Sequence, residues 1–163
     1  MKKLSLNPEY ARRHVFAVLV TLALAFWFAY DGFISYPAAP AAEPYKMIEK
    51  ADAPATVDLE AFKKQKIGSQ LGFAALSFLA SLIVSLRLLS SARFNFSYGS
   101  DAFLWKGKNY TFSDIKEVDF TRWSTKGIAR LILNDGVNIT LDSWHHLSVG
   151  EFIKALPERF AKA

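Results

Sequence analysis

Two stretches of the chain carry no charge, and the part that follows them alternates apolar with polar positions. From Val15 to Tyr30 no residue is ionisable at the level of Asp, Glu, Lys or Arg, and apolar character resumes after Asp31 as Gly32–Phe33–Ile34–Ser35–Tyr36 before Pro37 ends it. The second stretch runs from Ile67 to Leu86 and is closed by Arg87. About 20 helical residues at roughly 1.5 Å each cross a bilayer core, so both stretches are long enough to span. Trp27, Tyr30 and Tyr36 gather at the far end of the first, where amphipathic rings favour the membrane interface. Asp31 falls at that same end and reads as a solvated interfacial acid rather than part of an ion pathway.

The pattern predicts a basic N-terminus over residues 1–14, a first transmembrane helix over 15–36 and a connecting loop over 37–66. A second transmembrane helix over 67–90 and a C-terminal domain over 91–163 follow. Lys2, Lys3, Arg12 and Arg13 ahead of the first span place the N-terminus in the cytoplasm, whereas Lys63, Lys64 and Lys66 before the second argue the other way. The first span usually dominates, so the expectation is a multi-pass protein of the inner (cytoplasmic) membrane with its C-terminal domain in the cytoplasm. The alternative is a signal cleaved near Ala39–Pro40–Ala41, which leaves that domain on the same side. Small residues recur every fourth position at Ala17, Thr21, Ala25 and Ala29, and at Ser77, Ser81 and Ser85, with Gly68 and Gly72 on the opposite face of the second helix. Such stripes permit close helix packing; small residues scattered on lipid-facing helices are the competing reading. The loop, opening with Pro37, Pro40 and Pro44, should be extended in its first half, because each proline biases its predecessor away from helix. Asp58 to Lys66 reads as a short helix leading into the second span.

Beyond residue 92 the period changes to two. Phe94, Phe96 and Tyr98 share one strand face. A two-residue turn at Gly107–Lys108 would pair Trp105 with Tyr110 and Phe103 with Phe112. At Asn134–Asp135–Gly136, a three-residue loop with a left-handed Gly136 keeps the buried face apolar by pairing Leu133 with Val137, Leu131 with Ile139 and Ala129 with Leu141. A four-residue loop over 124–127 would pair Phe120 with Leu131 and Val118 with Leu133. Ser148 and Glu151 have capping-box spacing and Leu147 with Phe152 staple spacing, so a helix should begin at Val149. Val149, Phe152, Ile153, Leu156 and Phe160 then line one side, with a stop or kink near Leu156 imposed by Pro157. The expected fold is thus a two-helix membrane hairpin plus a small α+β domain, an antiparallel meander or partly open barrel covered by a C-terminal helix.

About six strands and a final helix, with the run Ser113–Asp114–Ile115–Lys116–Glu117–Val118 leading to Trp123–Ser124–Thr125–Lys126–Gly127–Ile128, resemble a bacterial pleckstrin-homology-like domain over residues 93–162. That resemblance extends to small membrane-anchored bacterial proteins thought of as adaptors. It implies no particular ligand, and set against a seven-stranded version it leaves one strand missing or irregular.

Composition narrows the functions. With 52% hydrophobic residues the chain is apolar for its 163 residues, and the net charge is +5. Residues 91–163 hold ten Lys/Arg against eight Asp/Glu, too even for a nucleic-acid-binding face. Zero cysteines exclude disulfides, thiolate metal sites and cysteine nucleophiles. Adjacent His145 and His146 point apart on a strand or a helix and do not chelate, while His14 sits among basic residues at the membrane edge. No serine has a His and an acid in a catalytic pattern, and no phosphate-binding glycine loop is present. The expectation is a protein that is not an enzyme and takes no cofactor or metal. It would work as an adaptor or accessory subunit in the lipid bilayer, with a membrane protein or a second copy as partner. Trp123, Ile128 and Ile132, expected together on the outer sheet face, are the candidate docking anchor; self-packing of that face is the competing reading. A rival function is headgroup sensing by Lys106, Lys108, Arg122 and Lys126, each cation contributing about 1 kcal/mol at an anionic surface. A weak anionic-lipid contact is compatible with either.

Overall fold

A computed structural model of the chain describes residues 1–157 and Phe160. In chain order it has β1 (Lys2–Lys3), α1 (Pro8–Tyr30), a π-helical turn (Asp31–Ser35), α2 (Tyr36–Ala38), α3 (Ala42–Glu49) and α4 (Leu59–Ala92). Then come β2 (Phe96–Tyr98), β3 (Ala102–Trp105), β4 (Lys108–Thr111), a 3-10 turn (Phe112–Asp114), β5 (Ile115–Asp119), α5 (Trp123–Lys126), β6 (Ile128–Leu133), β7 (Asn138–Asp142) and α6 (Val149–Ala155). Two compact units result: His14–Leu86, and Met1–Arg13 together with the chain from Arg87 onward.

Among the described residues two helices are long and apolar enough to cross a membrane, Pro8–Ala38 with 31 residues and Leu59–Ala92 with 34, and most of each lies in the helical unit. The first starts seven residues before the uncharged run. Pro8 needs no N–H partner in a first turn, and the Asn7 side-chain oxygen accepts the Glu9 N–H at 3.0 Å. Pro37 does not stop the helix outright. The chain widens into the π turn at Asp31–Ser35, where the proline ring would otherwise press on the carbonyl four residues back, and helix ends only at Ala38. Lys63 Nζ then donates to the carbonyls of Pro37 (3.0 Å) and Ala39 (2.6 Å), groups a helix end leaves without partners. The expected extended half of the loop is corrected: Ala42–Glu49 is helical, because Pro44 falls in the first turn, where its missing N–H costs nothing. The short helix expected from Asp58 is continuous with the second long helix, its first turn capped by the Asp58 carboxylate on the Ala61 N–H at 3.0 Å.

The small-residue stripes divide by exposure. Ala25 and Ser81 are buried, Ala17, Thr21, Ala29, Ser77 and Ser85 half-buried, and Gly68 and Gly72 exposed. Phe28 meets Phe73 at 5.5 Å, and Gly32 approaches Leu71 so closely that a Cβ there would lie 2.6 Å from its Cδ2.

The other unit contains two antiparallel sheets, ordered β1-β2-β3-β4 and β5-β6-β7, rather than one meander. Between them the Asp114 carboxylate accepts both the Thr111 N–H (2.7 Å) and its hydroxyl (2.9 Å), and this capped 3-10 turn redirects the chain. Strand β1 lies beyond anything the alternation predicted. Lys2 faces Tyr98 and Lys3 faces Ser97, the Leu4 N–H donates to the Phe96 carbonyl at 3.0 Å, and Leu4 is 1% exposed in the core. That core is largely aromatic. Phe96, Phe103 and Tyr110 stack across strands at 5.4 Å steps, and Phe152 of α6 meets Phe96 edge-on at 4.9 Å. Such pairs favour stacked or edge-on geometry and add to the burial of large apolar area.

Two registers are corrected by two residues each. The first hairpin turns at Lys106–Gly107, both at positive φ (49° and 83°), so Trp105 pairs with Lys108 and Phe103 with Tyr110. Upstream of β6 the connection contains α5, capped by Gly127 at φ 64°, and Val118 pairs with Leu131. Ile115 faces Leu133 across a bulge. A slip of two residues leaves every side chain on its own face, so the apolar pattern cannot detect it. At Gly136 (φ 82°) the pairing is as expected, with Leu131 opposite Ile139 and Ala129 opposite Leu141. Helix α6 begins at Val149 and ends before Leu156, but Ser148 is left-handed and makes no cap. Its expected partner Glu151 is paired with Lys2, and Leu147 is 44% exposed. Val149, Phe152 and Leu156 are buried, with Ile153 and Phe160 packed on the core. Residues 158–159 and 161–163, which the expected domain and the stated resemblance reach into, lie outside the described residues.

Candidate functional site

The expected docking triad does not assemble. Ile128 and Ile132 lie half-buried on the face of β6 opposite the buried Ala129, Leu131 and Leu133. Trp123 instead occupies the helical turn α5 and packs against the core cluster. The expected grouping of Trp123 with Ile128 on the outer sheet face is therefore corrected: α5 takes the indole off that face, and Ile128 pairs with Asp142. Around the two isoleucines, Arg130 pairs with Asp119 and Thr140, and Ile132 with Glu117 and Asn138, giving a mixed polar face.

The four cations of the rival reading also do not converge. Lys108 binds the Asp135 carboxylate at 2.9 Å at the β6–β7 turn, and the Tyr110 hydroxyl donates to the same carboxylate at 3.3 Å. The ammonium and the Val137 N–H together hold the Asp135 carboxyl below the usual range, and Asp135 in turn raises Lys108. Lys106 lies 5.2 Å from the centre of the Trp105 ring. Arg122, just before α5, and Lys126, its last residue, lie at the opposite end of β6, which at about 3.3 Å per residue is roughly 20 Å long. One lipid headgroup does not bridge that distance.

A third cluster is built where the ends of the folded unit meet. The Ser143–Ser148 segment is held on residues Ser5–Asn7 by the Leu147 N–H on the Ser5 carbonyl (2.8 Å) and the Asn7 N–H on the His145 carbonyl (2.8 Å). The Asn7 side-chain amide adds a bond to the Trp144 carbonyl at 3.0 Å. His146 is 4% exposed, stacks on Phe94 at 4.3 Å, and its Nε2 lies 2.9 Å from the Ser91 carbonyl. A carbonyl only accepts, so Nε2 carries the proton, and Nδ1 is buried without a partner. Desolvation lowers the His146 pKa; the Ser91 bond and the Asp142 carboxylate oppose this, and His145 adds to it. The Ser91 hydroxyl donates to Tyr10 at 3.3 Å, and Tyr10 packs on His145 at 4.4 Å. Arg13 lies 5.3 Å from the Trp144 ring centre.

His146 thus joins the end of α4 to the segment that precedes α1. Sequence reasoning weighed the two histidines only as metal ligands and missed this role. Among the described residues no group of three His, Cys, Asp or Glu side chains is placed to hold a metal. The available signals were Asn7–Pro8, a capping residue before a first-turn proline, and the alternation of Leu4 and Leu6 around Ser5. No family model matches the chain, and no curated protein or solved structure proved similar to it.

Proposed function

We propose that the chain is a non-enzymatic integral membrane adaptor or accessory subunit of the inner membrane, presenting a small pleckstrin-homology-like domain to the cytoplasm. The observation that carries this reading is the outward face of the two long helices. Phe16, Leu19, Phe26 and Trp27 on the first, and Phe73, Leu76, Phe78 and Leu86 on the second, are all more than half exposed. Only 11% and 6% of the most apolar stretches are buried, whereas the core helix of a soluble protein hides its apolar residues.

The pairing of β1 with β2 supports a hairpin. A segment before the first span and a domain after the second belong to one sheet, so both lie on one side and the chain crosses an even number of times. Cleavage near Ala41 would remove Leu4 from the core, which weighs against a processed signal. The basic residues at 2, 3, 12 and 13 favour the cytoplasmic side. In support of the pleckstrin-homology-like reading, Lys2–Lys3 adds a seventh strand to the six that lie within residues 93–162, ahead of a final helix.

For a membrane protein partner or a second copy, the exposed Gly68–Gly72 face of α4 offers a close-packing surface, where a Cβ added at either glycine would meet no atom outside its own stretch of helix within 4 Å. Ile128 and Ile132 remain as a small outer-face contact. Purification in mild detergent after cross-linking in the membrane tests this. The wild type should bring down a partner or itself, and Gly68→Leu/Gly72→Leu should lose it while remaining inserted. Recovery of a monomer alone from both would sink the adaptor reading.

A further inference from the structure

The geometry points to the Trp144–Leu147 segment and Arg12–Arg13 as an interfacial anchor that dips into the lipid–water boundary of the bilayer crossed by the protein's own helices. This rests on the membrane reading above and adds a surface to it. Trp144 and Leu147 are 42% and 44% exposed, and with Met1 they complete the exposed large apolar residues described from this domain's strands, loops and N-terminal segment. Indole rings favour the headgroup level, where one edge is apolar and the other wet.

Continuity of the chain selects lipid as the occupant. Arg13 sits over the Trp144 ring and is two residues from Val15, where the uncharged run begins, within the same unbroken helix α1. The bonds that the Ser5 carbonyl accepts from Leu147 and that Asn7 donates to the His145 and Trp144 carbonyls fix the segment against the residues directly preceding that helix, so Trp144 is held beside Arg13 in its opening turns. Arg12 and Arg13 share the single carboxylate of Glu9, leaving one positive charge over, and their side chains are 78% and 66% exposed. Net positive charge beside an exposed indole suits an anionic headgroup layer.

The absence of cysteine makes the test direct. Single cysteines replacing Leu147, Leu79 (in α4) and Thr125 (in α5) are spin-labelled in the full chain, reconstituted into vesicles with and without anionic phospholipid. Collision with dissolved oxygen reports lipid, and collision with a water-soluble nickel chelate reports solvent. The Leu79 label should favour oxygen, the Thr125 label nickel, and the Leu147 label should shift towards oxygen, more so in anionic vesicles. Arg12→Gln/Arg13→Gln should abolish that lipid dependence. An oxygen-favouring Leu79 with a nickel-favouring Leu147 overturns the anchor alone. A nickel-favouring Leu79 overturns the membrane reading and the anchor with it. Equal Leu147 accessibility in both vesicle types overturns the part assigned to the arginines.

Discussion

Truncating Leu4 separates a domain completed by the N-terminal segment from one that folds without it. Leu4 is 1% exposed and belongs to the cluster holding Phe96, Phe103 and Phe152, although some ninety residues of chain separate it from even the first of those aromatics. Leu4→Ala removes three buried carbons and leaves a cavity that a stacked aromatic core cannot readily close, a change that typically costs about 2–5 kcal/mol. At about 1.4 kcal/mol per tenfold, sheet opening should become roughly 30-fold to over 1,000-fold more frequent. Lys3→Ala is the matched control: Lys3 is exposed opposite Ser97, and a surface change of this kind stays within about 0.5 kcal/mol. Amide hydrogen exchange of the full chain in detergent reads both. Protection at Phe96–Tyr98 and Ala102–Trp105 should collapse in Leu4→Ala and persist in Lys3→Ala. Unchanged protection in Leu4→Ala would refute the argument, because the strand and its leucine would then be dispensable to the core.

Two further perturbations test the turns and the buried histidine. Gly136→Val should lower the thermal midpoint of the domain more than Lys108→Ala does. The first forces a β-branched residue to φ 82°, while the second removes only an exposed ion pair; equal midpoints would show that the bulged turn is wrong. For His146 the folded-state pKa lies below the unfolded value, so the unfolded chain binds the proton first. Stability should then be full above about pH 6.5 and fall as pH drops below it towards the lowered folded pKa. Thermal melts across that window should show the loss in the wild type and a flatter profile in His146→Gln; parallel profiles would remove His146 as its source.

Much of the architecture was legible because it rests on period. Uncharged runs of helical length and strands alternating at period two predicted the two long helices and the apolar faces of β2–β7; the start of α6 at Val149 was read from a capping-box spacing, although the cap itself does not form. The Gly136 loop could be read because a one-residue slip there would have put Asn138 in the core. The hairpin at Lys106–Gly107 and the connection before β6 differed by two residues, a slip invisible to any argument from faces. Strand β1 escaped because basic residues beside an apolar run satisfy the rule for membrane flanks, and Lys2 obeys that rule while also pairing with Glu151. The docking triad failed through local chemistry: Gly127 at φ 64° closes a helical turn over Trp123–Lys126 where a plain loop was expected, moving Trp123 onto the core. The Trp144–His146 cluster was hidden because its partners come from both ends of the folded unit and no local spacing joins them.

Residues 1–13 and the C-terminal domain should share one side of a membrane, with the segment around Ala42 on the other. Single cysteines replacing Ser5, Ala42 and Thr125 in the otherwise cysteine-free chain can be challenged with a membrane-impermeant maleimide in intact cells whose outer barrier has been opened. The account predicts labelling of the Ala42 position at once, and of Ser5 and Thr125 only after the inner membrane is permeabilised. Labelling of Ser5 and Thr125 from opposite sides, or of all three from the same side, would contradict it.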